Sequence, residues 1–168
     1  MKKVSAQKAF DKFKPETCVF VISADKKGKP SGMVAGWKMR CSWKPPYLFA
    51  VALSKHGYTH SLIEQSKEFV VAVPNKELEK QVEFFGSVSG SKIDKFKISK
   101  IETMPAKFVK LPLIKRATIN LECKLKKKVD SGDHIIFIGE IVACYIDEKK
   151  KVLLNMGKSK GKRIFKEF

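Results

Sequence analysis

Between Ala117 and Val129 the side chains alternate, with Ile119, Leu121, Cys123 and Leu125 on one side and Thr118, Asn120, Glu122 and Lys124 on the other. A period of two over this length marks a half-buried strand, because successive Cβ atoms point to opposite faces of a sheet. Asp130-Ser131-Gly132-Asp133 is a turn sequence. It leads into His134–Asp147, a second long apolar strand in which Gly139 marks an expected bulge. A long hairpin of this kind buries its apolar face only if more strands join it. Candidates are Cys18–Ser23, followed by the turn Asp25–Pro30, then Met33–Met39, Tyr47–Leu53 after Pro45-Pro46, Phe69–Val73 and a last strand at Val152–Leu154. Ala6–Phe13 and Tyr58–Lys67 read as helices. Asn75 is a good N-cap for a third helix ending near Phe85, with Glu77 and Glu79 favouring its positive end. Ser87–Ser91 is a loop of small residues with no evident helix after it. Several strands at hairpin spacing with a few short helices predict a mostly β chain, a closed or nearly closed antiparallel barrel.

The 168 residues fit one domain, spanning 1–168 with no linker or internal repeat. The segment Gly157–Phe168 is a basic tail whose aromatics, Phe165 and Phe168, argue for docking. No apolar run approaches the roughly 20 residues that cross a bilayer. Met1–Ser5 has no apolar stretch behind its charges, so a secretory signal is not expected. Cys18, Cys41, Cys123 and Cys144 are widely spaced, and three sit among apolar residues. They read as reduced thiols of a cytoplasmic protein, with no metal site. His56 and His60 lack a third ligand nearby.

The formal net charge is +18, yet arginine occurs only at positions 40, 116 and 163. Specific nucleic-acid recognition favours the planar arginine fork, and the lysines here are scattered along the chain. The pattern favours a solvated surface over a nucleic-acid partner. Lysine enrichment is equally typical of proteins that work at high temperature.

There is no Gly-x-Gly-x-x-Gly after a strand and no Walker loop. Gly86–Ser91 alone is a weak phosphate signal. Taken together, however, five segments follow one another in a recognisable order. They are Ser31-Gly32-Met33-Val34-Ala35-Gly36-Trp37, Ser42-Trp43-Lys44-Pro45-Pro46, Tyr58-Thr59-His60-Ser61-Leu62-Ile63, Ser89-Gly90-Ser91-Lys92-Ile93-Asp94-Lys95-Phe96 and Gly132-Asp133-His134. From about Pro15 to about Asp147 the chain resembles the flavin reductase-like family, and within it the flavoredoxins.

The resemblance implies an FMN-binding split β-barrel of antiparallel Greek-key type, with FMN rather than FAD as cofactor. It implies a flavin-dependent oxidoreductase that exchanges electrons between bound flavin and NADH, NADPH or a redox protein. An FMN-binding electron carrier without NAD(P)H oxidase activity is the alternative within the family. A basic barrel binding single-stranded nucleic acid is the alternative outside it. Family members are homodimers with flavin near the interface, so a homodimer is expected. Ser31, Gly32, Met33, Val34, Ala35, Gly36, Trp37, Thr59, Ser89, Lys95, His134 and Phe165 are the cofactor-binding candidates. Ala35 and Gly36 remove bulk, so that main-chain N–H groups approach the polar edge of a flat ring. Trp37 either walls that ring or packs in the core or an interface. Ser31 stands where relatives often carry asparagine. Lys95, helped by Thr59 at a helix start, is the phosphate candidate. His134 either faces the flavin as the catalytic candidate or is structural, and Phe165 covers the ring.

Overall fold

The structure, a computed structural model, describes residues 1–168. Its centre is a seven-stranded antiparallel sheet in the order β3-β2-β6-β9-β10-β5-β4. The strands are β2 (Val19–Ala24), β3 (Pro30–Ala35), β4 (Lys38–Arg40), β5 (Leu48–Ser54), β6 (Glu68–Val73), β9 (Ile119–Ser131) and β10 (His134–Ile146). The expected Met33–Met39 strand is in fact two pieces. At Gly36-Trp37 the chain leaves β2 and begins pairing with β5, so the two edges of the sheet are consecutive segments of one chain. A hydrogen bond from the Ala52 N–H to the Trp37 carbonyl (3.0 Å) fixes this hand-over. The sheet therefore curls into a barrel-like shell. Helix α2 (Tyr58–Ser66) packs against strands from both sides of it and places Ile63 in its interior.

Strict alternation decides which side chain goes where. On β2 and β6, Val19, Val21, Phe69 and Val71 fill the interior, whereas Phe20, Ile22, Val70 and Ala72 face a second core under helix α3 (Glu79–Ser87). Strands buried on both faces read as continuous apolar runs, as Cys18–Ser23 and Phe69–Val73 do. Gly139 is the bulge expected on β10, with a register shift at Ile138/Gly139. A Cβ there would lie 2.5 Å from Phe69 Cζ, so the glycine also makes room for a core ring.

Three features depart from expectation. The polar face of β9 does not meet water at its start, since Asn120 and Glu122 are buried, as is Thr118 just before the strand. A small hairpin, β7 (Thr103–Pro105) and β8 (Pro112–Ile114), covers it. Asn120 accepts from the Ile114 N–H and donates to its carbonyl, both at 3.0 Å, while Glu122 accepts from three N–H groups of the hairpin loop. Polar side chains here anchor main chain. Lys95–Ser99 forms a short helix, α4, whose N-cap Asp94 accepts from the Lys97 N–H at 3.0 Å. The basic tail is an ordered hairpin of β11 (Leu153–Ser159) and β12 (Lys162–Glu167). It turns through Lys160 and Gly161, both with positive φ, as two-residue hairpin turns require. Phe165 docks on the second core, but the Phe168 ring stays exposed. Short strand β1 (Glu16–Thr17) ties β11 to the N-terminal segment, which begins with α1 (Ala6–Phe10). No helix is long and apolar enough to cross a membrane.

Candidate functional site

Where β3 parts from β2, an open cleft of about 260 Å³ forms beside the sheet edge. Met33, Val34, Ala35, Gly36 and Trp37 form one wall, and His134 and Phe165 also face it. Seven of the twelve predicted residues thus come together, drawn from three separate segments. Trp37 is 56% exposed, which removes the core reading, and its ring centroid lies 4.6 Å from that of His134. His134 begins β10 directly opposite Ser54 on β5. Its Nδ1–H donates to the Asp133 carboxylate at 2.7 Å, because a carboxylate only accepts. That hydrogen bond holds the Asp133 carboxyl below its usual range. It also fixes the ring orientation and leaves Nε2 as the free nitrogen.

Gly36 has a reason that was not anticipated. A Cβ there would lie 2.6 Å from Oε1 of Glu16, so the space it leaves is taken by a carboxylate of the chain, paired with Lys14. Lys38, half-buried beneath, donates to the carbonyls of Thr17 and Gly36; burial lowers its pKa.

The remaining candidates lie away from the cleft. Ser31 borders a second, polar pocket with Tyr58, Gly90, Ser91 and Lys92. Its Oγ is buried with no hydrogen-bond partner and packs so close to Gly90 that a Cβ there would lie 2.0 Å away. Thr59 is buried in the first turn of α2, beside Tyr58. Ser89 is exposed, its hydroxyl 2.8 Å from that of Ser91. Lys95 is 3% exposed, and its ammonium donates to the carbonyls of Gly32 and Phe85, each at 2.8 Å. Burial lowers its pKa to about 8. In this arrangement Lys95 is a tie between α4, α3 and β3, and two of its three N–H donors are committed to main chain.

The site suits a flavin on the chemistry of its donors. β3 is an edge strand, so every second residue turns its N–H and C=O away from β2. The Gly32 carbonyl lies on that free side, where Lys95 reaches it, and by alternation the N–H and C=O of Val34 share it. A planar heterocycle would meet main-chain donors at β3 and aromatic surface at Trp37, His134 and Phe165. From Ser31 to Ala35 the strand spans about 13 Å, a length that connects the polar pocket to the cleft.

Other cleft residues escaped the sequence reading, namely Lys14, Glu16, Cys18, Ala52, Ser54, Asn155 and Arg163. Ala52 and Ser54 are the outward phase of β5, alternating with the buried Val51 and Leu53. Arg163 carried a signal in its rarity, one of three arginines in so lysine-rich a chain.

A model of the flavin reductase like domain matches residues 15–162. An uncharacterised protein of Archaeoglobus fulgidus is 45% identical over 114 residues, covering 68% of this chain and 64% of that protein. The chain thus spans less than two thirds of that relative. The NAD(P)H ferric-chelate reductase of the same organism is 30% identical over 137 residues, covering 80% of this chain and 79% of the reductase. Among solved structures, the flavoredoxin of Methanosarcina acetivorans superposes with a TM-score of 0.80 at 27% identity, covering 92% of this chain and 85% of that one.

Proposed function

The chain belongs to the flavin reductase-like family, and on that premise we propose that it binds FMN along β3 and passes electrons between NADH or NADPH and that flavin. The convergence of Trp37, His134 and Phe165 on the free edge of β3 carries the reading. The ring would lie against Val34–Trp37, and the phosphate would point to the pocket of Ser31, Tyr58, Gly90, Ser91 and Lys92. Tyr58, the first residue of α2, borders that pocket, and the start of this helix would favour the phosphate. Lys95 follows the Gly90–Asp94 loop that lines this pocket and ties it to Gly32; buried and outside the lining, it would act on the phosphate through its charge. A bound flavin supplies the redox chemistry. The chain's part is to orient the ring, present N–H groups to its polar edge and keep one face open beside His134. With no dinucleotide-binding fold here, the nicotinamide would rest on the open face only transiently.

A second copy of the chain is the expected partner. Trp37 just before β4, Met39 on it, and Trp43 and Tyr47 in the loop after it are 52–81% exposed, apolar surface that a second copy would bury. The cytoplasm is the proposed compartment, where thiols such as the buried Cys18 and Cys123 would stay reduced.

The absorbance spectrum of the purified protein, with identification of the released chromophore, tests the cofactor. A colourless protein that takes up neither FMN nor FAD would remove the proposal. Anaerobic mixing of the FMN-loaded protein with NADH or NADPH then tests the activity. Rapid bleaching supports a reductase, and none within minutes leaves an electron carrier fed by a protein donor. Sedimentation of wild type and Trp43→Lys tests the dimer, which the charge should dissociate.

A further inference from the structure

Beside the cleft lies a groove of about 590 Å³, bordered by Lys14, Asn155, Gly157, Lys158 and Arg163, with Asp11 on its rim. Lys14, Asn155 and Arg163 also line the cleft, so the two spaces adjoin. A bulge between Asn155 and Gly157, with Gly157 at φ +106°, bends β11 around the groove.

Arg163 is seated at the junction. Its Nη1 occupies the space over Gly86 in the last turn of α3, 2.7 Å from where a Cβ would sit. No carboxylate pairs with it, and the nearby Glu16 is engaged by Lys14. Arg163 and Lys14 border the same groove, and after burial the charge of Arg163 is the largest influence lowering the Lys14 pKa. Glu16 already balances Lys14, so the charge left without a counter-ion at the junction is the guanidinium of Arg163, open to an incoming anion. A guanidinium with its fork unused suits a phosphate, which accepts two parallel N–H bonds.

We infer that this groove receives the pyrophosphate of the dinucleotide donor, with Arg163 as the fork and Lys14 and Lys158 as flanking charges. The inference rests on the reading of NAD(P)H as donor. The pyrophosphate is one ribose away from the nicotinamide, as the groove is one step along from the cleft. Recognition through the pyrophosphate gives a chain without a dinucleotide fold a way to hold its donor.

The test compares two donors on the FMN-loaded protein. NADH carries the pyrophosphate, and 1-benzyl-1,4-dihydronicotinamide has the reducing ring without it. Arg163→Ala, on an exposed hairpin, should raise the KM for NADH roughly ten- to a hundredfold. The rise in KM for NADH should exceed any change seen with the benzyl compound by about tenfold, and inorganic pyrophosphate should compete with NADH in wild type alone. An unchanged KM, or equal slowing with both donors, overturns the inference. If NADH fails to reduce the wild-type protein, the donor reading falls by itself. Calorimetric titration with pyrophosphate then judges the groove: binding that Arg163→Ala abolishes supports an anion site, and no binding overturns it.

Discussion

The ammonium of Lys95 donates to the carbonyl of Gly32, sixty-three residues earlier, at 2.8 Å. With its equal bond to Phe85, it joins the edge strand of the candidate site to the end of α3. A lysine in a serine-glycine loop looked like a ligand for an external anion. Its first partners are instead two carbonyls of the chain.

Lys95→Met removes both bonds and keeps most of the packing volume. Each buried acceptor left unpaired costs about 1–3 kcal/mol, so urea denaturation should show a loss of that order. FMN affinity should fall as well, because β3 and the Ser89–Asp94 loop lose their tie. The sign of the pH dependence follows from burial. The folded pKa of about 8 lies below the unfolded 10.5, so the unfolded chain holds the proton more tightly between them. Stability of wild type relative to Lys95→Met should therefore rise with pH from about 8 to 10.5. A flat difference would show that burial does not perturb Lys95.

Gly139→Ala tests the packing of the shell. The added methyl would meet Phe69 Cζ at 2.5 Å and Cε1 at 2.7 Å, with Cβ of Cys123 at 3.0 Å. Overpacking of this kind costs about 1–3 kcal/mol. Phe69→Leu in the same chain should recover part of the loss, read as a coupling energy in a double-mutant cycle. Additive effects would mean the ring is not what excludes the side chain.

The central hairpin was legible because periodicity and turn chemistry agree at Gly132 and at Gly139. The split at Gly36 was not, since Met33–Met39 reads as one apolar run and the change of pairing partner depends on strands far away. The polar face of β9 misled for a related reason. Asn120 and Glu122 look the same in sequence whether they meet water or the main chain of another hairpin. In the site, the resemblance found the residues contiguous with β3 and the start of β10. It passed over Arg163 and Lys14, which approach from the two ends of the chain through β1, β11 and β12.

Glu122 gives an acid-side test. Burial pushes its carboxyl up, but N–H groups of Lys107, Phe108 and Val109 at 2.6–3.0 Å and the Tyr145 hydroxyl at 2.7 Å outweigh it, so its pKa lies below the usual range. A depressed carboxylate contributes stability above the unfolded pKa of 4.5 and loses it as pH falls through the lower folded value. Glu122→Gln should be less stable at pH 7 by about 2 kcal/mol, and the gap should narrow below pH 4.5. A gap of constant size across the acid range would contradict the assignment.

Ser31 separates stability from binding. Its hydroxyl is buried against Gly90 without a partner in the chain, at a cost of about 1–3 kcal/mol. Ser31→Ala removes the unpaired group and keeps the backbone, so the flavin-free protein should be as stable as wild type or about 1 kcal/mol more stable. If the hydroxyl serves the cofactor, the variant should bind FMN more weakly, and the rise in Tm on adding FMN should shrink. The two measurements move in opposite directions only when the hydroxyl is reserved for a ligand. Unchanged FMN affinity with a stabilised apoprotein would make Ser31 a packing defect and move the phosphate end away from β3.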